Sequence, residues 1–179
     1  MIWDSNSITP EPYAEIGNCF HSVEEKIRRN GGKQILGWQI WKNQFFIEAE
    51  FHAIWESPNG DLKDITPKQI DSKNILFLPD EKLKYNNISK DNIRLNITKN
   101  HLIDDLIKIY ETEFIILNKG KRTFEYGAII LNKEEESLYM FLENMKNFLL
   151  LMVTKGLNKN SLCFCNSGKK YKYCHGYKL

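Results

Sequence analysis

The chain has 179 residues, 42% of them hydrophobic and 27% charged, and its formal net charge is +2. This length allows one hydrophobic core with a small appendage and is too short for two full domains. Because the net charge is so small, any surface that binds nucleic acid or membrane must be a local patch.

The apolar runs and the cysteines indicate the cellular compartment. No uncharged apolar run reaches the roughly 18 residues of a membrane span, and the first four residues lack the basic and apolar regions of a secretory signal. Three of the four cysteines lie in the last seventeen residues, which favours metal ligation over two disulfides. We therefore predict a cytoplasmic protein with no membrane contact.

The first third of the chain predicts a helix followed by a β-meander. Asn18 is a typical cap for a helix that begins at Cys19 and stops at Asn-Gly-Gly, residues 30–32. Strand patterns then cover residues 35–41, 45–55 and 62–66, separated by turns at 42–43 and 57–60 and stopped by Pro67. We predict an α+β fold in which the N-terminal helix precedes an antiparallel meander.

The remaining elements complete a core domain over residues 1–156, followed by a tail over residues 157–179. We predict a short strand at 75–78, a long loop at 80–97, helices at 101–117 and 134–155, and a strand at 123–131. The apolar run at 148–153 is expected to be a buried part of the last helix.

The tail contains two pairs of metal ligands. Cys163 and Cys165 lie one residue apart, and Cys174 and His175 follow after eight residues. Three thiolates and one imidazole suit tetrahedral zinc, and the Ser-Gly at 167–168 allows the turn that brings the two pairs together. Because the protein fills all four positions, we predict a structural Zn²⁺ with no open catalytic position.

Residues 163–176 resemble the SEC-C motif, the zinc module at the end of the bacterial preprotein translocase motor and of many otherwise unrelated proteins. The resemblance rests on Cys-x-Cys, Ser-Gly-Lys-Lys-Tyr-Lys and Cys-His-Gly, while Phe164 and Asn166 replace the usual Pro and Gly. It implies that the tail docks to a protein partner or to the ribosome, since the translocase module contacts a chaperone.

The tail is also basic and aromatic. From residue 155 onward it has no Asp or Glu, and its lysines and tyrosines are Lys155, Lys159, Lys169, Lys170, Lys172, Lys178, Tyr171, Tyr173 and Tyr177. Such a surface can bind nucleic acid or acidic proteins, and the alternative is a solvated face.

The core contains a candidate thiol site. Cys19 is predicted at the first turn of a helix, where the positive end of the helix dipole favours a thiolate. His52 on the second strand and Asp64 on the third would then supply the base and its orienting carboxylate. A three-residue hairpin loop, favoured by Pro58, pairs residue 54 with residue 64 and makes His52 and Asp64 diagonal neighbours.

This arrangement resembles the papain-like and transglutaminase-like thiol hydrolase core over roughly residues 16–67. The resemblance implies that Cys19 is the nucleophile, His52 the base and Asp64 its orienter, acting on an amide, thioester or isopeptide through an acyl-enzyme. Backbone N–H groups of the first helical turn, with Asn18 or Gln39, would form the oxyanion hole.

Other interpretations of the same residues stay open. Cys19 can be a buried core residue, or it can join His21 and His52 in a second metal site. Glu48 and Glu50 share a strand face with His52 and either tune its pKa or are solvated. The whole protein can therefore be a cysteine hydrolase with a docking tail or a non-catalytic adaptor that binds protein or nucleic acid through that tail.

Overall fold

A computed structural model describes residues 3–69, 72–124 and 129–177. Contacts divide the chain into two units, of which unit 1 comprises Met1–Lys42 and Glu48–Asn86, and unit 2 comprises Asn43–Ile47 and Asn87–Leu179. The α+β class is confirmed, with an antiparallel sheet and three α-helices in the described ranges. The boundary at residue 156 stays a prediction, and the contacts group the tail with the helices before it.

Unit 1 contains one helix and most of the sheet. Its elements are β1 (Trp3–Ser7), α1 (Cys19–Asn30), β2 (Lys33–Lys42), β3 (Phe46–Glu56), β4 (Leu62–Lys63) and β5 (Asn74–Pro79). The strands are ordered β1-β5-β2-β3-β4, so the predicted helix and meander are present as α1 and β2-β3-β4. Strand β1 was not predicted, and β5 lies between β1 and β2.

Helix α1 begins at Cys19, as predicted, although the preceding residue does not cap it through its side chain. Asn18 has φ −115° and ψ 43° and makes no side-chain cap hydrogen bond. At the other end Gly31 has φ 70°, a left-handed conformation that glycine adopts without steric cost, and its N–H donates to the Ile27 carbonyl. The first turn of α1 contains no acidic residue, so nothing there offsets its positive dipole end.

The β3-β4 hairpin has the three-residue loop that the sequence predicts. Trp55 pairs with Lys63 and Glu56 pairs with Leu62, which is the register that sets residue 54 opposite residue 64. Gly60 at the end of the loop has φ 88°, the left-handed conformation such loops require. The register that brings His52 and Asp64 together is therefore confirmed.

The core of unit 1 lies on both faces of the sheet because alternate residues of β3 point in opposite directions. One cluster contains Cys19, Val23, Ala53, Trp55 and Ile65. The other contains Ile54, Ile75 and Phe77. The short distance between strands is visible at Gly37, where a Cβ atom would lie 2.3 Å from the Leu78 carbonyl oxygen on β5.

Unit 2 contains the strand β6 (Ile93–Asn96) and two long helices, α2 (Leu102–Leu117) and α3 (Lys133–Thr154). Both helices were predicted to within two residues, whereas β6 lies in the segment that was predicted to be a loop. Strand β6 pairs with β3, whose first residues, Phe46 and Ile47, belong to unit 2. None of the described helices combines the length and the apolar character needed to cross a membrane.

Two local predictions for unit 2 were wrong over the residues that the structure describes. The predicted strand at 123–131 starts inside a 3₁₀-helix, Gly120–Phe124, and its residues 125–128 lie outside the described ranges. The apolar run at 148–153 is only partly buried, since Phe148 is 40% exposed and Leu151 is 50% exposed. An α-helix directs successive residues around its axis, so a continuous apolar run cannot lie entirely on the buried face.

Candidate functional site

The three predicted catalytic residues all belong to unit 1 and are all buried. Cys19 begins α1, His52 lies in β3 and Asp64 follows β4, with exposed fractions of 6%, 3% and 0%. His52 Nε2 lies 3.0 Å from Asp64 Oδ2. The second carboxylate oxygen, Oδ1, accepts the Thr66 backbone N–H at 3.0 Å, which fixes the plane of the carboxylate.

His52 favours its protonated form despite burial. Desolvation lowers its pKa, but the electrostatic interaction with Cys19 and the hydrogen bond to Asp64 outweigh this and raise the pKa of His52 to about 9. The same pairing holds the pKa of Asp64 below its ordinary value against the opposing effect of burial. Because the pKa of His52 is raised, its contribution to stability is complete below about pH 6.5 and is lost as the pH rises through about 9.

Lys68 is a member of this group that the sequence did not predict. Its ammonium Nζ lies 2.6 Å from Asp64 Oδ2, 2.8 Å from Gln39 Oε1 and 3.2 Å from His52 Nε2. Lys68 is four residues after Asp64, a spacing that indicates proximity only on a helix, and this segment is not helical. No sequence signal could therefore have placed it here.

A cavity of about 490 Å³ opens onto Cys19, His52 and Lys68. Its walls combine apolar and charged side chains: Ile16, Gly17, Cys19, Phe20, Trp41, Glu48, Glu50, Phe51, His52, Thr66, Pro67, Lys68 and Gln69. Trp41 Nε1 donates to Glu50 Oε2 at 2.7 Å, so this carboxylate has a fixed position in the wall. Phe20 stacks on Tyr85 with ring centroids 3.9 Å apart, which supports the aromatic side of the cavity.

Of the two predicted oxyanion-hole side chains, Gln39 is the one with a buried donor that has no hydrogen-bond partner among the described residues. It is fully buried, its Oε1 accepts from Lys68, and its Nε2 donor has no partner among the described residues. Since the oxygen is engaged by an ammonium, the amide orientation is determined and Nε2 remains a free donor. For Asn18, the buried atom without a partner there is the acceptor Oδ1 and not the donor Nδ2.

The alternative second metal site at Cys19, His21 and His52 does not form. His21 Nδ1 lies 3.4 Å from Glu24 Oε2 on the surface of α1. In the described ranges, the tail residues are the one group of three or more His, Cys, Asp or Glu side chains that could hold a metal ion. The three candidate ligands come from two elements, α1 and β3, and their presence in the sequence does not by itself make them converge on one ion.

The four tail ligands converge as predicted. The Sγ atoms of Cys163, Cys165 and Cys174 and a ring nitrogen of His175 all lie within 4.8 Å of one another. Cys163 Sγ is 3.2 Å from His175 Nδ1, and Cys165 Sγ is 3.4 Å from Cys174 Sγ. Ligands about 2.0–2.3 Å from a tetrahedral zinc are roughly 3.5–3.8 Å apart, so this donor set fits a four-coordinate metal ion, with Nδ1 as the imidazole ligand.

The local environment favours the thiolate form, which is the form that binds metal, at one of the cysteines. Hydrogen bonds from the Ser167 side chain and backbone lower the pKa of Cys165 to about 6. Burial acts the opposite way on Cys163 and raises the pKa of its thiol. A bound cation would favour the thiolate at both positions.

The tail is anchored on α2 through a buried tyrosine. Tyr171 is fully buried in the core cluster of unit 2, and burial together with the nearby Asp105 carboxylate raises its pKa. Asp105 Oδ1 accepts from Lys159 Nζ at 3.0 Å, and Asn100 Nδ2 donates to the Leu157 carbonyl at 2.7 Å. These bonds connect the first turn of α2, and a residue just before that helix, to the segment that leads into the ligands.

The two departures from the usual motif have structural explanations. Asn166 has φ 56°, a left-handed conformation that glycine adopts freely and that asparagine tolerates better than most residues. Phe164 stacks on Phe148 of α3, with ring centroids 4.3 Å apart and an interplanar angle of 5°. The centroid of the Phe164 ring also lies 4.7 Å from that of the His175 ring. The Phe164 side chain therefore joins the ligand cluster to α3.

The predicted basic surface is partly present. Lys155, Lys169 and Lys170 are exposed, whereas Lys159 pairs with Asp105 and the Lys172 ammonium lies 4.8 Å from the centroid of the Tyr173 ring. Lys178 lies outside the described ranges.

Comparison with known proteins identifies the tail alone. Residues 160–176 match the family model described as the SEC-C motif. No curated protein and no solved structure matches the chain. The chain therefore carries a SEC-C motif with a Cys/His cluster that could hold a metal ion, and the papain-like resemblance of the core remains a prediction.

Proposed function

We propose that the protein is a cysteine-dependent acyl hydrolase or transferase that acts on an amide, isopeptide or thioester, with Cys19 as nucleophile, His52 as base and Asp64 as orienter. The observation that carries the proposal is the buried His52–Asp64 pair, 3.0 Å apart, beside a cysteine at a helix N-terminus in the wall of a cavity. Buried ionisable groups that meet in a cavity are typical of active sites.

The chemistry follows from the roles of the two imidazole nitrogens. His52 Nε2 pairs with Asp64, which leaves Nδ1 to accept the thiol proton of Cys19. The thiolate attacks the substrate carbonyl carbon, and the resulting oxyanion accepts hydrogen bonds from the first turn of α1 and from Gln39 Nε2. The imidazolium then gives its proton to the leaving amine or thiol, and an acyl-thioester on Cys19 remains.

Water or an acceptor amine completes the reaction. His52 takes a proton from this second nucleophile, which attacks the acyl-thioester and regenerates Cys19. The product is a carboxylic acid when water attacks and a new amide when an amine attacks. The papain-like and transglutaminase-like resemblance supports this sequence of steps.

We further propose that the tail holds one structural Zn²⁺ through Cys163, Cys165, Cys174 and His175 and docks the protein to a partner. The ligands fit tetrahedral zinc, and a four-coordinate site supplies folding energy rather than a reactive position. The thiolates require a reducing compartment, which supports a cytoplasmic location. The exposed lysines around the motif suit an acidic protein or the ribosome as partner.

The decisive experiment is labelling of the zinc-loaded protein with limiting iodoacetamide between pH 5 and 9. We expect Cys19 to react at pH values well below about 8.5, the ordinary pKa of a thiol. His52→Ala should reduce the low-pH rate about tenfold or more, and Asp64→Asn should reduce it less. Mass spectrometry of the Cys19 peptide measures each rate.

His21→Ala is the matched control because it removes a histidine two residues from Cys19 on the exposed surface of α1. It should leave the rate unchanged. A Cys19 that is inert, or whose rate does not depend on His52, would disprove the thiol site.

The second candidate is a non-catalytic adaptor, which the exposed Lys155, Lys169 and Lys170 favour. In that case Cys19 is a core residue, and binding to the partner is lost when Cys174 and His175 are replaced. A steep loss of binding with added salt would identify the partner as nucleic acid.

A further inference from the structure

The charged side chains around His52 include a cation, the Lys68 ammonium, that a thiol–imidazole–carboxylate site does not require. Lys68 Nζ contacts the same Asp64 oxygen, Oδ2, that pairs with His52 Nε2, at 2.6 Å and 3.0 Å respectively. The Lys68 side chain is only 9% exposed, so water screens its charge weakly. An ammonium placed so close to an imidazole must affect both its position and its proton affinity.

We propose that Lys68 is a positioning residue that holds Asp64 against His52 and limits, through its charge, the pH range over which His52 stays protonated. This inference rests on the proposed function, since it concerns the same base. It adds a residue that neither the sequence pattern nor the SEC-C motif assigns to the site.

The positioning role follows from the contacts of Lys68. Its ammonium bridges Asp64 on one side and Gln39 Oε1, at 2.8 Å, on the other. Gln39 lies on β2 and Asp64 follows β4, so Lys68 ties together residues from the two strands that flank β3. Loss of these bonds would leave the Asp64 carboxylate held by the Thr66 N–H and His52 alone and would release the Gln39 amide from its fixed orientation.

The charge effect has a definite sign. A cation 3.2 Å from Nε2 disfavours the imidazolium, in opposition to the Asp64 carboxylate. The groups that face or adjoin His52 are Cys19 from α1, Asp64 and Lys68 from the segment after β4, Gln39 from β2, Glu48 and Glu50 from β3, and the uncharged Phe77 ring from β5. Among them Lys68 is the group that carries positive charge, and its removal should make His52 more basic.

The experiment compares Lys68→Met with Lys68→Arg by NMR titration of the His52 ring in zinc-loaded protein, with His52→Asn to assign the signals. Lys68→Met should raise the pH at which His52 loses its proton by roughly one unit, because a cation is lost at hydrogen-bond distance. Lys68→Arg keeps the positive charge and should change the pH at which His52 loses its proton by much less. Lys73→Met, which removes an exposed lysine nearby, is the control and should cause no shift.

Labelling of Cys19 by iodoacetamide in the same variants separates the two proposals. If labelling of the unmodified protein does not depend on His52, the proposed function fails. If it does depend on His52 but Lys68→Met leaves the His52 titration unchanged, or Lys68→Arg shifts it equally, the role of Lys68 alone is overturned. Should Lys68→Met not fold, as judged by circular dichroism, Lys68→Gln removes the charge while keeping a polar side chain and gives the same comparison.

Discussion

Tyr171 is the residue around which the metal-binding tail is packed. Its ring is fully buried, and Gly176 lies so close that a Cβ atom there would be 2.6 Å from Tyr171 Cε1. The glycine directly follows the ligands Cys174 and His175, so this contact determines where the chain returns after the cluster. The Cys-His-Gly sequence therefore has a packing requirement in addition to its two ligands.

At this scale we predict that Gly176→Ala destabilises unit 2 by about 1–3 kcal/mol, the usual cost of overpacking, and weakens metal binding. Thermal unfolding and competition with a chromophoric zinc chelator measure the two effects. Asn160→Ala, at an exposed position of the same tail, should change neither. Equal metal affinity in Gly176→Ala and the unmodified protein would show that the tail repacks without difficulty.

The individual site residues differed in how far the sequence could predict them. Cys163, Cys165, Cys174 and His175 were predictable because all four ligands lie in one short segment with a distinctive spacing. His52 and Asp64 were predictable as neighbours because Pro58 and Gly60 fix the hairpin register. Lys68 was not, since a long flexible side chain in an irregular segment can reach several places and only tertiary structure decides among them.

Among the elements, α3 has the most complete local determinants. The Asn132 side chain accepts hydrogen bonds from the N–H groups of Glu134 and Glu135, and the Glu135 side chain accepts from the Asn132 N–H. This capping box satisfies backbone donors that have no partner within the helix. Arg122 also donates to Glu135 Oε2 at 3.0 Å, which connects the helix start to the preceding 3₁₀-helix.

Asn132→Ala should therefore lower the free energy of unfolding by about 1 kcal/mol, the typical value of an N-cap. The midpoint of urea unfolding, followed by circular dichroism, measures the change. Asn147→Ala on the exposed side of α3 is the control, and it should be neutral or slightly stabilising because alanine favours helix. An Asn132→Ala midpoint equal to the unmodified one would mean that packing alone fixes the start of α3.

Elements whose determinants are local were predicted, and elements that depend on a distant partner were missed. Helices α2 and α3 carry their periodicity and end signals within their own sequence, so their bounds were found to within two residues. Strand β1 has the polar sequence Trp-Asp-Ser-Asn-Ser and is a strand because it pairs with β5 about seventy residues later. Pairing with a distant partner leaves no local signal, and β6 was missed for the same reason.

At the scale of the molecule, the candidate metal ligands and the candidate thiol site belong to different units. The core of unit 2 includes Cys163 and Tyr171, so the order of the tail and that of the helices are connected. Cys19, His52 and Asp64 all lie in unit 1. We therefore expect substitutions at the tail ligands to affect metal loading and substitutions in unit 1 to affect the reactivity of Cys19.

We predict one equivalent of zinc per chain by native mass spectrometry, and none after Cys174 and His175 are replaced by Ser and Ala. Removal of zinc by a strong chelator should lower the melting temperature of unit 2, because binding energy is part of its folding energy. Zinc should also be released as the pH falls and protons compete for the ligands. Cys19→Ala should keep a full equivalent, and a chain that melts equally with and without metal would contradict a structural role.

Unit 2 is assembled from two separate stretches of sequence, since residues 43–47, which form the β2–β3 turn and the first two residues of β3, belong to it. Phe46 from this short stretch is buried in the same core cluster as Leu102, Met145 and Tyr171. A fragment that begins at residue 87 would lack that ring and would leave a cavity in its core, at a cost typical of Phe truncation, about 3–5 kcal/mol. We therefore expect that a genetic fusion or truncation carrying the SEC-C segment together with α2 and α3 also needs residues 43–47 to keep its full stability.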